Sequence, residues 1–534
     1  EKLDSCRFRV ICDWPVVKDL EVGFSFSSLA TRDMPQSHVI ECDVSRGIVK
    51  LDRPMSKEII GSGFELRSPQ PAPILAAQLV TGSSKPELLP KIDMRLGTTL
   101  GTNALLEKQG VPVALFVTKG FADVIEIGTQ ARSDLFSLNI VKESPLYTRV
   151  VEVDERIDSK GNVLKAPKLN SLKREVGELV KNGIDTVAIS FVNSYVNSIH
   201  EDQVSECLLS SGIQRVIRAT DLSPFIKYLE RTQTTVVDAF IGPVIDDYLR
   251  EIECGINKGS LHVMTSAGGL LPSLEFRPKD SLLSGPAGGV VGAVRAGRLA
   301  GFSRIISFDM GGTSTDVARY DDKYEYVFEH HVAGAHIVAP ALSIETVAAG
   351  GGSVCGFHSG RLKVGPESAG AIPGPACYGA GGPLTLTDVN LLLGRLKKER
   401  FGIPISQSSA ENRLNELLEI IKKETKTTPS KEEILEGFIS IAEERMANTV
   451  RRVSLESGYD PKEYVLVAFG GAGGQHACGV AQLLGIKTVV IPEDAGLLSA
   501  LGIGHARIER FVEMQVIQDL SIVGDRLLQF FEEL

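Results

Sequence analysis

Apolar residues in this chain gather into short unbroken runs, and the stretches between those runs space them every three or four positions. VPVALFV (residues 111–117), TVAISFV (186–192), RIISF (304–308) and YVLVAF (464–469) are nearly continuous apolar runs, which predicts strands buried on both faces. NSLKREVGELVKN (170–182) and residues 201–211, 238–253 and 431–456 carry helical periodicity instead. Shorter strands are expected at RVIRAT (215–220), at LHVMTSAGG (261–269), which ends in a glycine turn, and at KTVVIP (487–492). The first 70 or so residues alternate in strand fashion at VGFSFSSLA, HVIECDV and GIVKLD, and a helix is expected after the prolines of RSPQPAPILAAQLVTG. From about residue 90 strands and helices alternate, the signature of α/β layers. GPAGGVVGAVRAGRLAG (285–301) reads as a helix of small residues that packs close to another backbone. RIISFDMGGTSTDVARY (304–320) and YEYVFEHHVAG (324–334) read as antiparallel strands. Residues 347–388 hold so many glycines that a long functional loop is expected there. The final GDRLLQFFEEL enters a helical pattern with no stop signal, so the chain is expected to be cut at that point.

Length and composition narrow the class. A chain of 534 residues is expected to form two to four domains. With a net charge of −10 and a pI near 5.6, it offers no basic footprint for nucleic acid. No apolar run approaches the ~18 residues of a membrane span, and the N-terminus lacks a signal-peptide core. The expectation is a soluble cytoplasmic protein that binds neither nucleic acid nor membrane. The eight cysteines, at positions 6, 12, 42, 207, 254, 355, 377 and 478, form no C-x-x-C pair and read as reduced structural thiols. Glycine changes the picture most: there are 53, and they cluster.

Four clusters carry candidate chemistry. In FDMGGTSTD, Gly311 and Gly312 free the backbone N–H groups to converge on an anion, and Thr313, Ser314 and Thr315 add hydroxyl donors. Asp309 and Asp316 would repel a phosphate unless a Mg²⁺ ion or a polarised water stood between them. The competing reading is a glycine bulge with two turn-capping aspartates. In FGGAGGQHA, Gly470, Gly471, Gly473 and Gly474 lie between a strand and a helix, the context of a nucleotide loop. His476 then either touches a nucleotide or sits at a solvated helix start. In RLGTTLGTNALLEK, Thr98, Thr99, Thr102 and Asn103 sit at a helix N-terminus that suits an anion or carbonyl, or is simply capped. The fourth cluster runs from residue 350 to 378 and includes Gly351, Gly352, Arg361, Lys363, Glu367 and Cys377. It reads as a lid or substrate loop, with no histidine to make Cys377 a nucleophile. His330 and His331 point to opposite faces of a strand and cannot share a metal. Tyr228, Glu230 and Arg231 read as a surface ion-pairing segment.

Taken together, the strand–Asp–Gly-Gly-Thr loop, the long helix and the strand–Gly-Gly–helix loop resemble those of the actin-like ATPases. RLGTTLGTNALLE, FVTKGFADVIEIGTQARSDLF, SGPAGGVVGA, FDMGGTSTDVA, GGGSVCGF, GPESAGAIPGPACYG and FGGAGGQHA resemble the hydantoinase/oxoprolinase A family from about residue 64 to 511. That resemblance implies an α/β fold of two RNase H-like domains clamping a nucleotide, with a small partial N-terminal β-rich segment. The expected boundaries are 1–90 for that segment, 91–300 for the family's N-terminal-type α/β domain, 301–510 for the ATPase domain, and 511–534 for the start of a C-terminal domain.

It also implies an ATP- and Mg²⁺-dependent hydrolase of cyclic amides such as hydantoin or 5-oxoproline. Asp309 and Asp316 would be catalytic, with Asp309 on Mg²⁺. Residues 311–315, Gly470, Gly471, Gly473, Gly474 and His476 would bind ATP. Thr98, Thr99, Thr102, Asn103, Arg132, Gly351 and Gly352 would bind substrate. A B-type subunit or fused B domain is the implied partner, in a homo- or hetero-oligomer. The alternatives are an ATP-dependent ketone carboxylase subunit and a non-catalytic scaffold for the B-type partner. One departure stands out: the family's first Asp-x-Gly-Gly-Thr loop is not in this sequence. A fragment of a longer protein, inactive alone, and a degenerate nucleotide-free paralogue are both expected outcomes of that.

Overall fold

The structure is a computed structural model that describes residues 2–11, 17–28, 37–54, 63–130, 136, 138, 142, 144–256 and 258–533. The chain divides into two compact units. The first comprises Glu1–Arg95, Pro243–His262 and Pro272–Leu274, and the second Leu96–Gly242, Val263–Leu271 and Glu275–Leu534.

The N-terminal strands of the first unit form one antiparallel sheet in the order Arg7–Arg9, Ile48–Leu51, Ser37–Asp43, Ser25–Ser28, Phe64–Arg67. Its alternating sequences bury Phe8, Phe26, Val39, Val49 and Leu51 on one face, and Phe26 stacks on Phe64 with ring centroids 5.5 Å apart. Helix Ala72–Thr81 follows, with a proline at its first turn and Gly82 closing it in the left-handed region at φ 70°.

The second unit is α/β and holds two sheets that differ in kind. Val113–Thr118 is flanked by Arg149–Val153 and Thr186–Ser190, and the latter pairs with Arg215–Arg218. All three pairings are parallel. The two central strands are buried at every position, as their unbroken apolar runs predict. The other sheet is mixed. Arg304–Met310 pairs antiparallel with Thr315–Asp321 and parallel with Val465–Phe469, and Ile344–Val347 and Val489–Val490 lie at its edges. Helix Lys431–Val453 covers it. A reciprocal cap between Ser430 and Glu433 starts that helix, and its Ile434, Leu435, Phe438, Ile439 and Met446 enter the largest core of the unit.

Three expectations change here. The glycine-dense region 347–388 is not one long loop: Ser353–His358 and Arg361–Ser368 form a hairpin whose Cys355 and Val364 join that core. Lys363 pairs with Glu367 along one strand, at 3.2 Å, and Arg445 of the long helix donates to the Val364 carbonyl. The segment is thus anchored rather than a lid. The helix expected at 238–253 spans Tyr228–Ile256. Its polar first turns lack an apolar stripe, and Thr232, Thr234 and Thr235 instead return their hydroxyls to the carbonyls four residues back.

Arg231 is the third correction, since it is fully buried rather than on the surface. Its guanidinium faces the rings of Tyr195 and Tyr228, donates to Ser194 Oγ and the Phe191 carbonyl, and offsets the buried charge of Glu201. The antiparallel reading of 304–320 holds, whereas Tyr326–Val332 pairs with Ala335–Leu342 in a ribbon of its own. Among the described residues no helix is long and apolar enough to cross a membrane.

Two predictions follow from these buried charges. Arg231→Ala leaves Glu201 uncompensated and is expected to lower the unfolding free energy by about 3–5 kcal/mol in urea titration. The double variant Arg231→Met/Glu201→Gln is expected to lose clearly less, and equal losses would contradict the pairing. Asp238 is also buried, and burial lifts its carboxyl from 3.8 to about 6. The folded state therefore holds that proton more tightly than the unfolded chain does. Its contribution to stability is full below about pH 4 and is lost as pH rises through about 6. Asp238→Asn is expected to flatten that slope in denaturation measured at pH 4, 5, 6 and 7.

Candidate functional site

The antiparallel hairpin of the mixed sheet turns through residues 311–314, closed by the Gly311 N–H to the Ser314 carbonyl at 3.0 Å. Its register sets Asp309 directly opposite Asp316, so both carboxylates leave the same face of the sheet. Burial comes first, and the neighbouring Asp316 charge second, in raising the Asp309 carboxyl from 3.8 to about 6. The Ser499 hydroxyl, at the start of helix Leu498–His505, bonds to Asp309 and opposes that rise. Asp316 is also raised by burial and accepts the Thr346 hydroxyl at 2.6 Å.

Two other glycine segments close on this turn. The Gly351 N–H donates to the Gly311 carbonyl at 3.0 Å, and the Gly352 N–H to the Gly312 carbonyl at 2.6 Å. A β-carbon on Gly350 would lie 2.6 Å from Gly312 C and Thr313 N, so only glycine permits the approach. Thr315 Oγ1 donates to the Ala349 carbonyl at 2.6 Å and fixes the entry to the segment. Thr387, opening helix Leu386–Leu392, donates both its N–H and its hydroxyl to the Gly351 carbonyl, at 2.8 and 2.9 Å.

From the neighbouring parallel strand, the loop at 470–472 arrives beside Asp309. Gly470 has φ 80°, and a β-carbon there would stand 2.4 Å from Asp309 Oδ1. The Ala472 N–H donates to the Met310 carbonyl at 2.9 Å, and helix Gly473–Leu484 starts at once. Its first N–H groups and positive dipole end therefore lie beside the hairpin turn.

The structure thus brings together Asp309, Asp316, residues 311–315, Gly351, Gly352, Gly470, Gly471, Gly473 and Gly474. Thr98, Thr99 and Thr102 lie beside the start of helix Ser284–Leu299, while the Asn103 N–H bonds back to the Thr99 carbonyl at 2.9 Å. Thr98 exchanges hydrogen bonds with Ser284, and the Thr102 hydroxyl donates to the Leu282 carbonyl at 2.5 Å. Thr99 Cγ2 lies 3.5 Å from a β-carbon position on Gly285, while Phe469 and Ser499 meet that of Gly289. Gly285 and Gly289 are one helical turn apart, about 6 Å of rise. Arg132 lies outside the described residues. Ser499 carries no local sequence signal, because only the packing of its helix brings it to Asp309.

His476 does not sit where a nucleotide contact or a solvated helix start would put it. It is fully buried. Nε2 lies 3.0 Å from Asn390 Nδ2, and Nδ1 lies 3.3 Å from Glu443 Oε1. The imidazole points into the packing beneath helix Gly473–Leu484 because two polar partners wait there. Cys377 is also buried, its thiol pushed up to about 12 by burial and then by Asp388, so it is no nucleophile.

Among the described residues no three His, Cys, Asp or Glu side chains cluster as a metal cage. Two neighbouring carboxylates, both raised by burial and Asp309 also by the Asp316 charge, do suit a cation that takes most of its remaining ligands from water and phosphate, as Mg²⁺ does.

Comparison with known proteins places the chain in a family. The Hydantoinase/oxoprolinase family profile matches residues 231–511, and that of the Hydantoinase/oxoprolinase N-terminal region matches residues 74–212. The 5-oxoprolinase PfmaA of Pestalotiopsis fici is 42% identical over 454 residues, covering 78% of this chain and 35% of that protein. The chain spans about a third of the length of the 5-oxoprolinases it matches. The caprolactamase subunit alpha of Pseudomonas jessenii is 32% identical over 439 residues, covering 79% of this chain and 62% of that one. The crystal structure of the ATP-dependent caprolactamase from the same organism superposes with a TM-score of 0.73 at 28% identity, over 93% of this chain and 74% of that one. Nucleotide-free acetone carboxylase gives a TM-score of 0.67 at 24% identity, over 83% and 67% of the two chains, a likeness of fold alone.

Gly470→Ala tests the convergence. The added methyl meets Asp309 Oδ1 and the Met310 carbonyl in a left-handed conformation, and is expected to destabilise the fold by about 1–3 kcal/mol. Gly471→Ala, whose β-carbon position meets nothing within 4 Å, is expected to be nearly neutral in the same thermal melts.

Proposed function

The chain belongs to the hydantoinase/oxoprolinase family, and from that premise we propose that it supplies the ATP-dependent step of cyclic amide hydrolysis. The observation that carries the reading is the closure of three glycine segments, at 311–314, 350–352 and 470–473, around the Asp309–Asp316 pair. Such a surface offers backbone N–H groups to phosphate oxygens where side chains would obstruct them. The mixed sheet, with Ile344–Val347, Thr315–Asp321 and Arg304–Met310 antiparallel and Val465–Phe469 and Val489–Val490 parallel to the last, is read as one RNase H-like domain of an actin-like ATPase. The second such domain is assigned to residues 91–300.

Residues 311–315 and the start of helix Gly473–Leu484 hold the phosphates of ATP, and Gly470 and Gly471 let the nucleoside lie against the backbone. Asp309 would hold Mg²⁺, and the ion would supply charge neutralisation on the transferring group. Asp316 is the second catalytic carboxylate, and the Ser499 hydroxyl keeps the Asp309 carboxylate oriented. Thr98, Thr99, Thr102 and Asn103, with Gly351 and Gly352, hold the amide.

An amide carbon is a poor electrophile. Moving the γ-phosphoryl group from ATP to the amide oxygen gives an imidate phosphate and ADP. Water then adds at that carbon, the ring C–N bond opens to leave a free amine and an acyl phosphate, and a second water hydrolyses the acyl phosphate to carboxylate and inorganic phosphate. Binding at this site supplies positioning and charge neutralisation, which is most of what phosphoryl transfer requires. A B-type partner contributes to the hydrolytic half. Five-membered and larger lactams both belong to the proposed substrate class, since the relatives include 5-oxoprolinases and a caprolactamase.

Calorimetric titration of the chain with ATP and Mg²⁺ tests the reading. Binding is expected for the unsubstituted chain, and Asp309→Ala is expected to weaken it at least tenfold, or about 1.4 kcal/mol. Absence of binding, or equal affinity in the variant, overturns the assignment. With a B-type partner present, ATP hydrolysis is expected to rise on adding 5-oxoproline, hydantoin or caprolactam, but not on adding a ketone with bicarbonate.

A further inference from the structure

The contacts of His476 raise a question of purpose, because this imidazole beside a glycine loop is fully buried and held by two protein side chains. Its first-turn position on helix Gly473–Leu484 attaches that helix to two others. Through Nε2 it meets Asn390 of helix Leu386–Leu392, 3.0 Å away. Through Nδ1 it meets Glu443 of helix Lys431–Val453, 3.3 Å away. Arg395 reaches both Glu443 and the Gln475 carbonyl, at 3.4 Å each, and seals the contact from outside. Asn390 is itself fully buried.

The decisive connection runs along the two-turn helix that carries Asn390. Three residues earlier in it, Thr387 grips the Gly351 carbonyl with two donors, and the Gly351 N–H grips the Gly311 carbonyl. A single helix therefore holds the loop at 311–314 at one end and the helix behind the loop at 470–472 at the other. Both loops leave strands paired from Ile305 with Val465 to Asp309 with Phe469, and beyond that ladder the Ala472 N–H bonds to the Met310 carbonyl. The ladder and that bond hold the loops only at their bases, and an attachment through helix Leu386–Leu392 constrains them from a second side.

We infer that His476 is a positioning residue whose Nε2 contact with Asn390 fixes the orientation of the two nucleotide loops to one another, without touching nucleotide. The ATP affinity expected of it rests on the function proposed above. The coupling of the loops stands on its own and is read separately.

Asn and Gln variants separate the two imidazole nitrogens. A glutamine amide reaches the Nε2 position and keeps the Asn390 contact, while an asparagine amide reaches only the Nδ1 position and keeps Glu443. Hydrogen exchange by mass spectrometry is measured on unliganded chains, over peptides covering 308–316 and 468–476. His476→Asn is expected to speed exchange in both peptides, His476→Gln in neither. Asn390→Ala, which deletes the same bond from the other side, is expected to reproduce the His476→Asn pattern and keeps the test open should that variant fold poorly.

For ATP, calorimetry is expected to give about a tenfold weaker Kd for His476→Asn and Asn390→Ala, and a change within about twofold for His476→Gln. Equal effects of the two His476 variants, or acceleration confined to 468–476, would show a merely local packing role and overturn the inference. If the unsubstituted chain does not bind ATP, the proposed function fails while the exchange comparison still decides the coupling.

Discussion

Backbone against backbone, with no β-carbon between, is the contact on which the site depends. Residues 350–352 lie so close to the hairpin turn that a methyl on Gly350 would overlap Gly312 and Thr313, and Gly470 lies as close to Asp309. The approach allows the Gly351 and Gly352 N–H groups to pair with carbonyls of the turn. It also spares the turn's own N–H groups from obstruction by side chains. Glycine carries the largest entropic cost of ordering, so these segments hold their shape only because a rigid sheet and the helices packed on it surround them. The buried strands Arg304–Met310 and Val465–Phe469 and the core under helix Lys431–Val453 supply that rigidity.

On this frame sits an arrangement that folding alone would not favour. Two carboxylates face one another across a strand pair, each pushed toward its protonated form by burial. The hydroxyls of Ser499 and Thr346 relieve part of the cost. A site that concentrates unfavourable negative charge beside open backbone donors is prepared for a ligand carrying both a cation and an anion.

What could be read from sequence was what is decided within about ten residues. The apolar runs at 113–118, 186–190 and 465–469 became buried strands, and the glycine loops at 311–312 and 470–474 stand at the ends of strands as expected. Distance in sequence hid the rest. His476 looked like a helix-start residue because nothing near it shows that Asn390 and Glu443 lie beneath it. Residues 353–368 looked like loop because their glycines obscure a strand pattern that becomes visible once Cys355 and Val364 enter the core. Arg231 looked exposed because two tyrosines that cover it come from its own helix and from a turn 36 residues earlier. The docking of residues 350–352 on the hairpin turn is likewise a tertiary event with no local trace.

Helix Ser284–Leu299 lies flush against helix Leu498–His505, where a methyl on Gly502 would stand 1.9 Å from the Gly288 carbonyl and one on Gly292 would stand 2.4 Å from the Leu498 carbonyl. The first helix contains five glycines, at positions 285, 288, 289, 292 and 297. At about 1 kcal/mol each relative to alanine, they make it a poor helix by itself. Its order must therefore come from docking, and its partner is encoded some two hundred residues downstream. During synthesis the ribosome releases this segment long before that partner exists, so residues 284–299 have nothing to dock against at first. This end of the unit can close only after residues 498–505 have emerged.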